Sequence, residues 1–254
     1  MRRLASLALI AAAAVALTGC LMPPPAPVAV SPDAGQGTDA PGAAVGPVWP
    51  ANMASHGVIF TAEGVQQTPA AAPQRAQVEV AAPHAILYVD FLCPHCGTFE
   101  AAYGDELGAA VEAGEVALEI RPLTFMDRSS PDEYSTRAAN AFAAVADEFP
   151  GSAWAFHRAL FAQQPAAGEP GLTDDELIEL AAGAGASSER LAERIRSVAL
   201  REFTVAASES GLTQPVAEGV EPPRGTPALY LDGVAYQGPL DQPGSVGDFI
   251  ASQG

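Results

Sequence analysis

The tetrapeptide Cys93-Pro94-His95-Cys96 constrains the fold of this chain more than any other feature. It follows a largely apolar run, Ala85 to Leu92, and precedes Thr98 to Val111, where large apolar residues recur at every fourth position. This order predicts a β-strand that leads into a helix with two thiols in its first turn. Such an arrangement is typical of a dithiol–disulfide active site.

The start of the predicted helix favours a thiolate at Cys93. The first turn of a helix has unpaired N–H groups and the positive end of the helix dipole. Such a position lowers a cysteine pKa from about 8.5 to roughly 3.5–7.5. Pro94 has the backbone angle that suits the first helical position, and a protonated His95 would add a second nearby positive charge.

The beginning of the chain has the pattern of an export signal. Two arginines precede the apolar, Ala-rich stretch from Leu4 to Leu17, which is too short for a transmembrane helix of about 20 residues. Leu17-Thr18-Gly19-Cys20 then resembles the lipobox of bacterial lipoproteins, in which cleavage before the cysteine is coupled to its acylation. We predict a lipoprotein signal peptide at 1–19 and a lipidated Cys20 that anchors the protein to the membrane. An ordinary secretory signal is the alternative, and both place the mature protein outside the cytoplasm, where disulfides persist.

Composition restricts the partners and the chemistry. The chain has 30 acidic residues and 12 basic ones, all of them arginine, for a net charge of −18, which becomes −20 when the two arginines of the signal are removed. This charge argues against a nucleic-acid partner, which would need a basic face. The lack of lysine excludes a lysine nucleophile.

Residues 20–50 are rich in Pro and Ala and predict an extended tether before a domain at 51–254.

Hydrophobic periodicity predicts strands and helices throughout residues 51–254. Val116, Leu118 and Ile120 alternate with Ala117, Glu119 and Arg121, which predicts a half-buried strand. Ser130–Glu133 and Thr173–Glu176 have the pattern of helix capping boxes, and Asp232-Gly233 has that of a type I′ hairpin turn. The predicted strands are 58–60, 78–80, 86–91, 116–120, 228–231 and 234–236, and the predicted helices are 98–111, 131–149, 152–163, 173–184, one or two within 188–208, and 244–252.

Three segments of the chain are similar to the DsbA family of thiol–disulfide oxidoreductases. The first is Asp90 to Cys96, the second is 121–128 followed by 134–140, and the third is Gly225-Thr226-Pro227 before the last hairpin. The resemblance extends over about residues 57–252. It implies an α/β protein with a thioredoxin-like fold and an inserted helical subdomain at about 129–212.

The resemblance also implies roles for individual residues. Cys93 would be the nucleophile and Cys96 the resolving thiol of a redox disulfide, with His95 between them as a further catalytic residue. Pro227 would be cis, and Thr226 would offer its backbone to an extended substrate. The implied partners are exported proteins with free cysteines and a membrane redox partner of the DsbB or VKOR type, and no cofactor is implied.

Several alternatives remain at this point. The protein could be a disulfide reductase or isomerase, or a copper-binding lipoprotein without turnover; zinc is disfavoured because it prefers four ligands. Many relatives have a buried acid six residues before the first cysteine, where this chain has Leu87. Asp90 could take part in proton transfer, but we expect an exposed carboxylate at the end of the strand, and we expect His157 to be a packed, hydrogen-bonded histidine. His56 and His84 have no companions that suggest a site, and we predict no metal site.

Overall fold

A computed structural model describes residues 48–253. These residues form one six-stranded sheet with helices packed against it. The strands are β1 (Val58–Thr61), β2 (Gly64–Val65), β3 (His84–Val89), β4 (Ala117–Pro122), β5 (Ala228–Leu231) and β6 (Val234–Ala235). The helices are α1 (Pro94–Glu112), α2 (Tyr134–Glu148), α3 (Ala153–Ala162), α4 (Asp174–Gly183), α5 (Glu189–Arg196), α6 (Arg201–Thr213) and α7 (Ser245–Gln253), with 3₁₀ turns at Phe125–Ser129 and Pro150–Ser152.

The order of the strands brings three loops to one edge of the sheet. The order is β2-β1-β4-β3-β5-β6, with β3 parallel to β4 and antiparallel to β5. The carboxyl ends of β3 and β4 and the amino end of β5 therefore meet at the same edge. We call this edge the dithiol edge and define it by residues 90–97, 123–129 and 224–227.

Helices α2 to α6 lie between β4 and β5 in the sequence, and α1 and α7 pack against each other. Helix α2 is the most deeply buried, because 12 of its 15 residues are buried. The chain thus has the predicted thioredoxin-like fold with helices inserted before the last hairpin. Among residues 48–253, no helix has both the length and the apolar composition that crossing a membrane requires.

One predicted strand is absent, and one short strand was not predicted. Residues 78–80 form no strand but run along the outside of the fold, where the carbonyl of Glu79 accepts a hydrogen bond from the side chain of Gln66. Strand β2 pairs with β1 as a short hairpin instead. The two valines at 78 and 80 had favoured a strand, but the segment finds no neighbouring strand to pair with.

The prediction of a half-buried strand at β4 is wrong, because all six of its residues are buried. Two polar residues on its second face neutralise each other, since Arg121 Nε lies 2.7 Å from Glu119 Oε1. The guanidinium also donates to the Tyr88 hydroxyl at 2.8 Å, and His84 Nε2 lies 2.9 Å from Glu119 Oε2. Burial alone would raise the pKa of Glu119, but Arg121 and His84 lower it to about 2.

The two predicted capping boxes have opposite outcomes. Thr173 caps α4 as predicted, since its hydroxyl accepts from the backbone N–H of Glu176 and the Glu176 carboxylate accepts from the N–H of Thr173. Ser130 starts no helix. Residues 130–133 form a turn, Glu133 has a left-handed backbone, and α2 begins only at Tyr134, whose N–H donates to the Ser130 hydroxyl. The predicted type I′ turn at Asp232-Gly233 is confirmed by positive φ at both residues.

Candidate active site

The two thiols lie at the start of α1, on the dithiol edge. Cys93 is the residue before the helix, and Pro94 occupies the first helical position as expected. The backbone N–H groups of Cys96 and Gly97 donate to the Cys93 carbonyl at 2.9 and 3.2 Å. Both cysteines are free thiols in this structure, and both are buried, Cys93 with 5% and Cys96 with 1% of its surface exposed.

The loop before β5 brings Thr226 and Pro227 against the first thiol. The predicted cis bond between these two residues is present. When it is protonated, the Cys93 thiol donates to the Thr226 carbonyl oxygen at 3.4 Å, across 133 residues of sequence. The Thr226 hydroxyl is buried and has no hydrogen-bond partner of the ordinary length among the described residues. The structure therefore brings together four of the predicted site residues.

The environment makes the two thiols unequal. A hydrogen bond from the Cys96 side chain, with further bonds from Thr226 and the backbone, lowers the pKa of Cys93 from 9.0 to about 5, although burial opposes this. Burial raises the pKa of Cys96 well above its usual range. At neutral pH the reduced site therefore holds a thiolate at Cys93 and a protonated thiol at Cys96. A thiolate is the nucleophilic form and also the better leaving group.

His95 is exposed between the cysteines. Its backbone N–H is one of the groups that lower the pKa of Cys93. Its imidazole makes no hydrogen bond or ion pair with any described residue. It is therefore placed where an approaching partner would meet it.

Asp90 differs from its prediction, because its carboxylate is fully buried. It accepts hydrogen bonds from the N–H of Leu92 at 2.9 Å, the N–H of Met126 at 3.0 Å and the Ser135 hydroxyl at 2.6 Å. Burial raises the pKa of Asp90 to about 6, although these three donors oppose the shift. This carboxylate joins the thiol loop to the segment after β4 and to α2.

Gln164 also contributes to the site, although no pattern in the sequence predicted it. It follows α3, and its amide nitrogen donates to the carbonyl oxygens of Phe91 and Cys93, both at 3.0 Å. A side chain at position 97 would overlap the Gln164 carboxamide, so the residue after Cys96 must be glycine for this approach. A residue just after α3 thus holds the backbone on both sides of Leu92.

The remaining histidines have structural partners. His157 is packed and hydrogen-bonded as predicted: its Nε2 lies 3.2 Å from Glu100 Oε2, and its ring stacks on Trp154. His56 is buried, and its Nε2 contacts the Ala72 carbonyl oxygen at 2.7 Å, while His84 contacts Glu119 as described above. Within residues 48–253, no group of three or more His, Cys, Asp or Glu side chains comes together in the way a metal ion would need. Cys20 lies outside the described residues.

Comparisons with known proteins agree with this geometry. A family model described as thioredoxin matches residues 74–246, and the chain therefore belongs to the thioredoxin family. Within that family it is DsbA-like, of the class of thiol–disulfide oxidoreductases, which confirms the resemblance predicted from the sequence. No curated protein sequence matched the chain.

Solved structures of this class are similar over most of the chain. The reduced form of DsbG from Mycobacterium tuberculosis, a disulfide bond oxidoreductase, is 28% identical with a TM-score of 0.60, over 77% of this chain and 86% of that one. Reduced DsbA from the same organism is 25% identical with a TM-score of 0.56, over 78% of this chain and 100% of that one. MdbA from Corynebacterium diphtheriae, a thiol-disulfide oxidoreductase, is 20% identical with a TM-score of 0.58, over 83% and 95%; at this identity it supports the fold alone.

Proposed function

We propose that this protein is an extracytoplasmic oxidase that donates disulfides to exported proteins through Cys93 and Cys96. The observation that carries the proposal is the inequality of the two thiols, with the pKa of Cys93 at about 5 and that of Cys96 raised by burial. A stable thiolate at Cys93 favours the reduced form of the enzyme. A site that prefers to be reduced is a strong oxidant of other thiols.

The reaction proceeds by two exchanges. A substrate thiolate attacks the sulfur of Cys93 in the oxidised enzyme, a mixed disulfide forms, and Cys96 leaves and takes up a proton. A second substrate thiolate then attacks the substrate sulfur of the mixed disulfide, and Cys93 leaves as a thiolate. The substrate loses two electrons and gains a disulfide, and the enzyme gains the same two electrons.

The loop at Thr226 and Pro227 is the proposed binding site for the substrate backbone. It borders an open groove of about 360 Å³ that also includes Arg224 and Tyr236. The Thr226 carbonyl already lies beside the sulfur of Cys93. An extended peptide that pairs with this loop would bring its own cysteine to the same sulfur.

The proposal includes an anchor at the membrane and a partner that reoxidises the dithiol. The signal peptide at 1–19, the lipidated Cys20 and the tether at 20–50 would keep the domain of residues 51–254 near the outer side of the membrane. A quinone-linked membrane partner of the DsbB or VKOR type would accept the two electrons and regenerate the disulfide. The export signal predicted at 1–19 supports the location, and the resemblance to the DsbA family supports a partner of this kind.

The reduction potential and an oxidative folding assay together test the function. Equilibration with glutathione should give a potential for Cys93–Cys96 more oxidising than about −200 mV, against about −270 mV for thioredoxin. The oxidised protein should also restore disulfides to a reduced, unfolded substrate protein. A potential near that of thioredoxin, together with reduction of substrate disulfides, would replace this proposal with a disulfide reductase.

A further inference from the structure

Most arginines of the described chain are neutralised by carboxylates. Residues 48–253 contain ten arginines and no lysine, and seven of the ten form ion pairs with Asp or Glu. Arg75 is partly buried and donates to the Pro215 carbonyl at 2.7 Å. Arg128 and Arg224 alone are exposed and have no carboxylate partner among the described residues.

Both of these arginines lie on the dithiol edge. Arg224 is two residues before Thr226, whose carbonyl contacts the sulfur of Cys93 at 3.4 Å, and it borders the groove beside that loop. Arg128 is two residues after Met126, whose N–H donates to Asp90 at the start of the thiol loop. Two residues span roughly 7 Å of backbone at most, so each arginine belongs to a loop that contacts the thiol loop directly.

The two arginines flank the thiols from opposite sides. Arg128 follows β4 and Arg224 precedes β5, and these strands border β3 on its two sides. The loops that carry the two arginines therefore lie on opposite sides of the loop that carries the thiols.

The acidic residues close to the two arginines in sequence do not pair with them. The Asp127 carboxylate accepts from the N–H and the hydroxyl of Thr136, at 3.0 and 2.6 Å, and is not paired with Arg128. The Arg128 guanidinium lies over the Phe125 ring at 5.7 Å. Glu221 is exposed three residues before Arg224 but forms no ion pair with it.

We propose that Arg128 and Arg224 select cysteine segments that carry carboxylates beside the reacting cysteine. A guanidinium presents a planar set of donors that matches a carboxylate. The chain carries a net charge of −18, and this charge would otherwise repel such segments. This proposal rests on the proposed function and adds a substrate class to it: exported chains whose cysteines have acidic neighbours.

The test compares short peptides that contain one cysteine flanked on both sides by Asp, Ser or Lys. The oxidised protein is mixed with each peptide in excess, and the rate at which the Cys93–Cys96 disulfide is reduced is measured. In the double variant Arg128→Gln/Arg224→Gln, the rate with the Asp peptide should fall about four- to twenty-five-fold, because one exposed ion pair changes a rate by about two- to five-fold. The rate with the Ser peptide should be nearly unchanged, and the rate with the Lys peptide should rise. Each peptide is compared only with itself, so its own thiol pKa cancels.

Arg190→Gln is the matched control, since this arginine is 71% exposed and lies outside the dithiol edge, 3.6 Å from Glu148. It should leave all three rates unchanged, and added salt should weaken the wild-type preference for the Asp peptide because salt screens exposed charges beyond about 10 Å. Equal loss with all three peptides, or no loss with the Asp peptide, would overturn the assignment of the arginines while the proposed function stands. If the Ser peptide fails to reduce the disulfide of the wild-type protein, the proposed function fails, and the selection proposal fails with it.

Discussion

The Thr226 hydroxyl offers a clean test of why Cys93 is acidic. It is buried, it makes no ordinary hydrogen bond among the described residues, and it is one of the groups that lower the pKa of Cys93 after the Cys96 thiol. Thr226→Val removes the hydroxyl but keeps the branched shape and the backbone. We expect the variant to have a higher Cys93 pKa and a less oxidising disulfide.

One hydrogen bond to a charged group sets the upper limit of the effect, because the Thr226 hydroxyl makes no ordinary hydrogen bond within the described part of the chain. Such a bond contributes about 1.5–3 kcal/mol, which corresponds to about one to two pKa units at about 1.4 kcal/mol each. The pKa of Cys93 should therefore rise from about 5 to no more than about 7. At pH 7 this rise makes the thiolate less favourable, and the potential should become more reducing by up to about 50 mV.

Two measurements check this expectation. The ultraviolet absorbance of the thiolate, followed over pH, gives the pKa of Cys93, and glutathione equilibration gives the potential. Thr98→Val is the control, because Thr98 lies on α1 close to Cys93 but its hydroxyl donates to the Pro94 carbonyl at 3.2 Å. If Thr226→Val leaves both the pKa and the potential at their wild-type values, the hydroxyl does not stabilise the thiolate and the reasoning is wrong.

Three further predictions concern other parts of the molecule. The pKa of Asp90 in the folded protein, about 6, lies above its ordinary value of 3.8, so this group contributes stability below about pH 4 that is lost as the pH rises through 6. In urea unfolding, the free energy of unfolding should fall by about 3 kcal/mol between about pH 4 and pH 6, and Asp90→Asn should abolish this fall. An equal pH dependence in both proteins would contradict the prediction. Cys96→Ser should trap mixed disulfides with substrates while Cys93→Ser traps few, and alkylation at about pH 6 should label Cys93 first; equal labelling would refute these roles. Cys20→Ala should release the protein from membranes or stall its processing, whereas an unmodified mature N-terminus at another residue, found by mass spectrometry, would exclude the lipobox.

The position of the dithiol could be predicted because its signals are local. A strand, two cysteines in one helical turn and a proline at the first helical position are adjacent in sequence. The hairpin at Asp232-Gly233 is equally local, since its two residues adopt the positive φ that the turn requires. Pattern and structure agree at these places because few contacts from distant residues are needed to produce them.

The polar contacts around the dithiol could not be predicted, because their partners are far away in sequence. Asp90 accepts a hydrogen bond from the hydroxyl of Ser135, 45 residues later, and Gln164 donates to the carbonyl of Cys93, 71 residues earlier. The alternation of β4 predicted an exposed face, but the ion pair of Glu119 with Arg121 allows both charges to be buried. A charged residue in a strand indicates a solvent-exposed face only when no opposite charge lies beside it.

The residues that complete the thiol site are synthesised long after the thiols themselves. During synthesis, the chain acquires both thiols before Gln164, which is made 71 residues after Cys93. Thr226 is made later still, 133 residues after Cys93. An emerging chain therefore presents Cys93 with Cys96 and the nearby backbone N–H groups that lower its pKa, but without the contribution of Thr226. The full acidity of Cys93 develops only after Thr226 has been made.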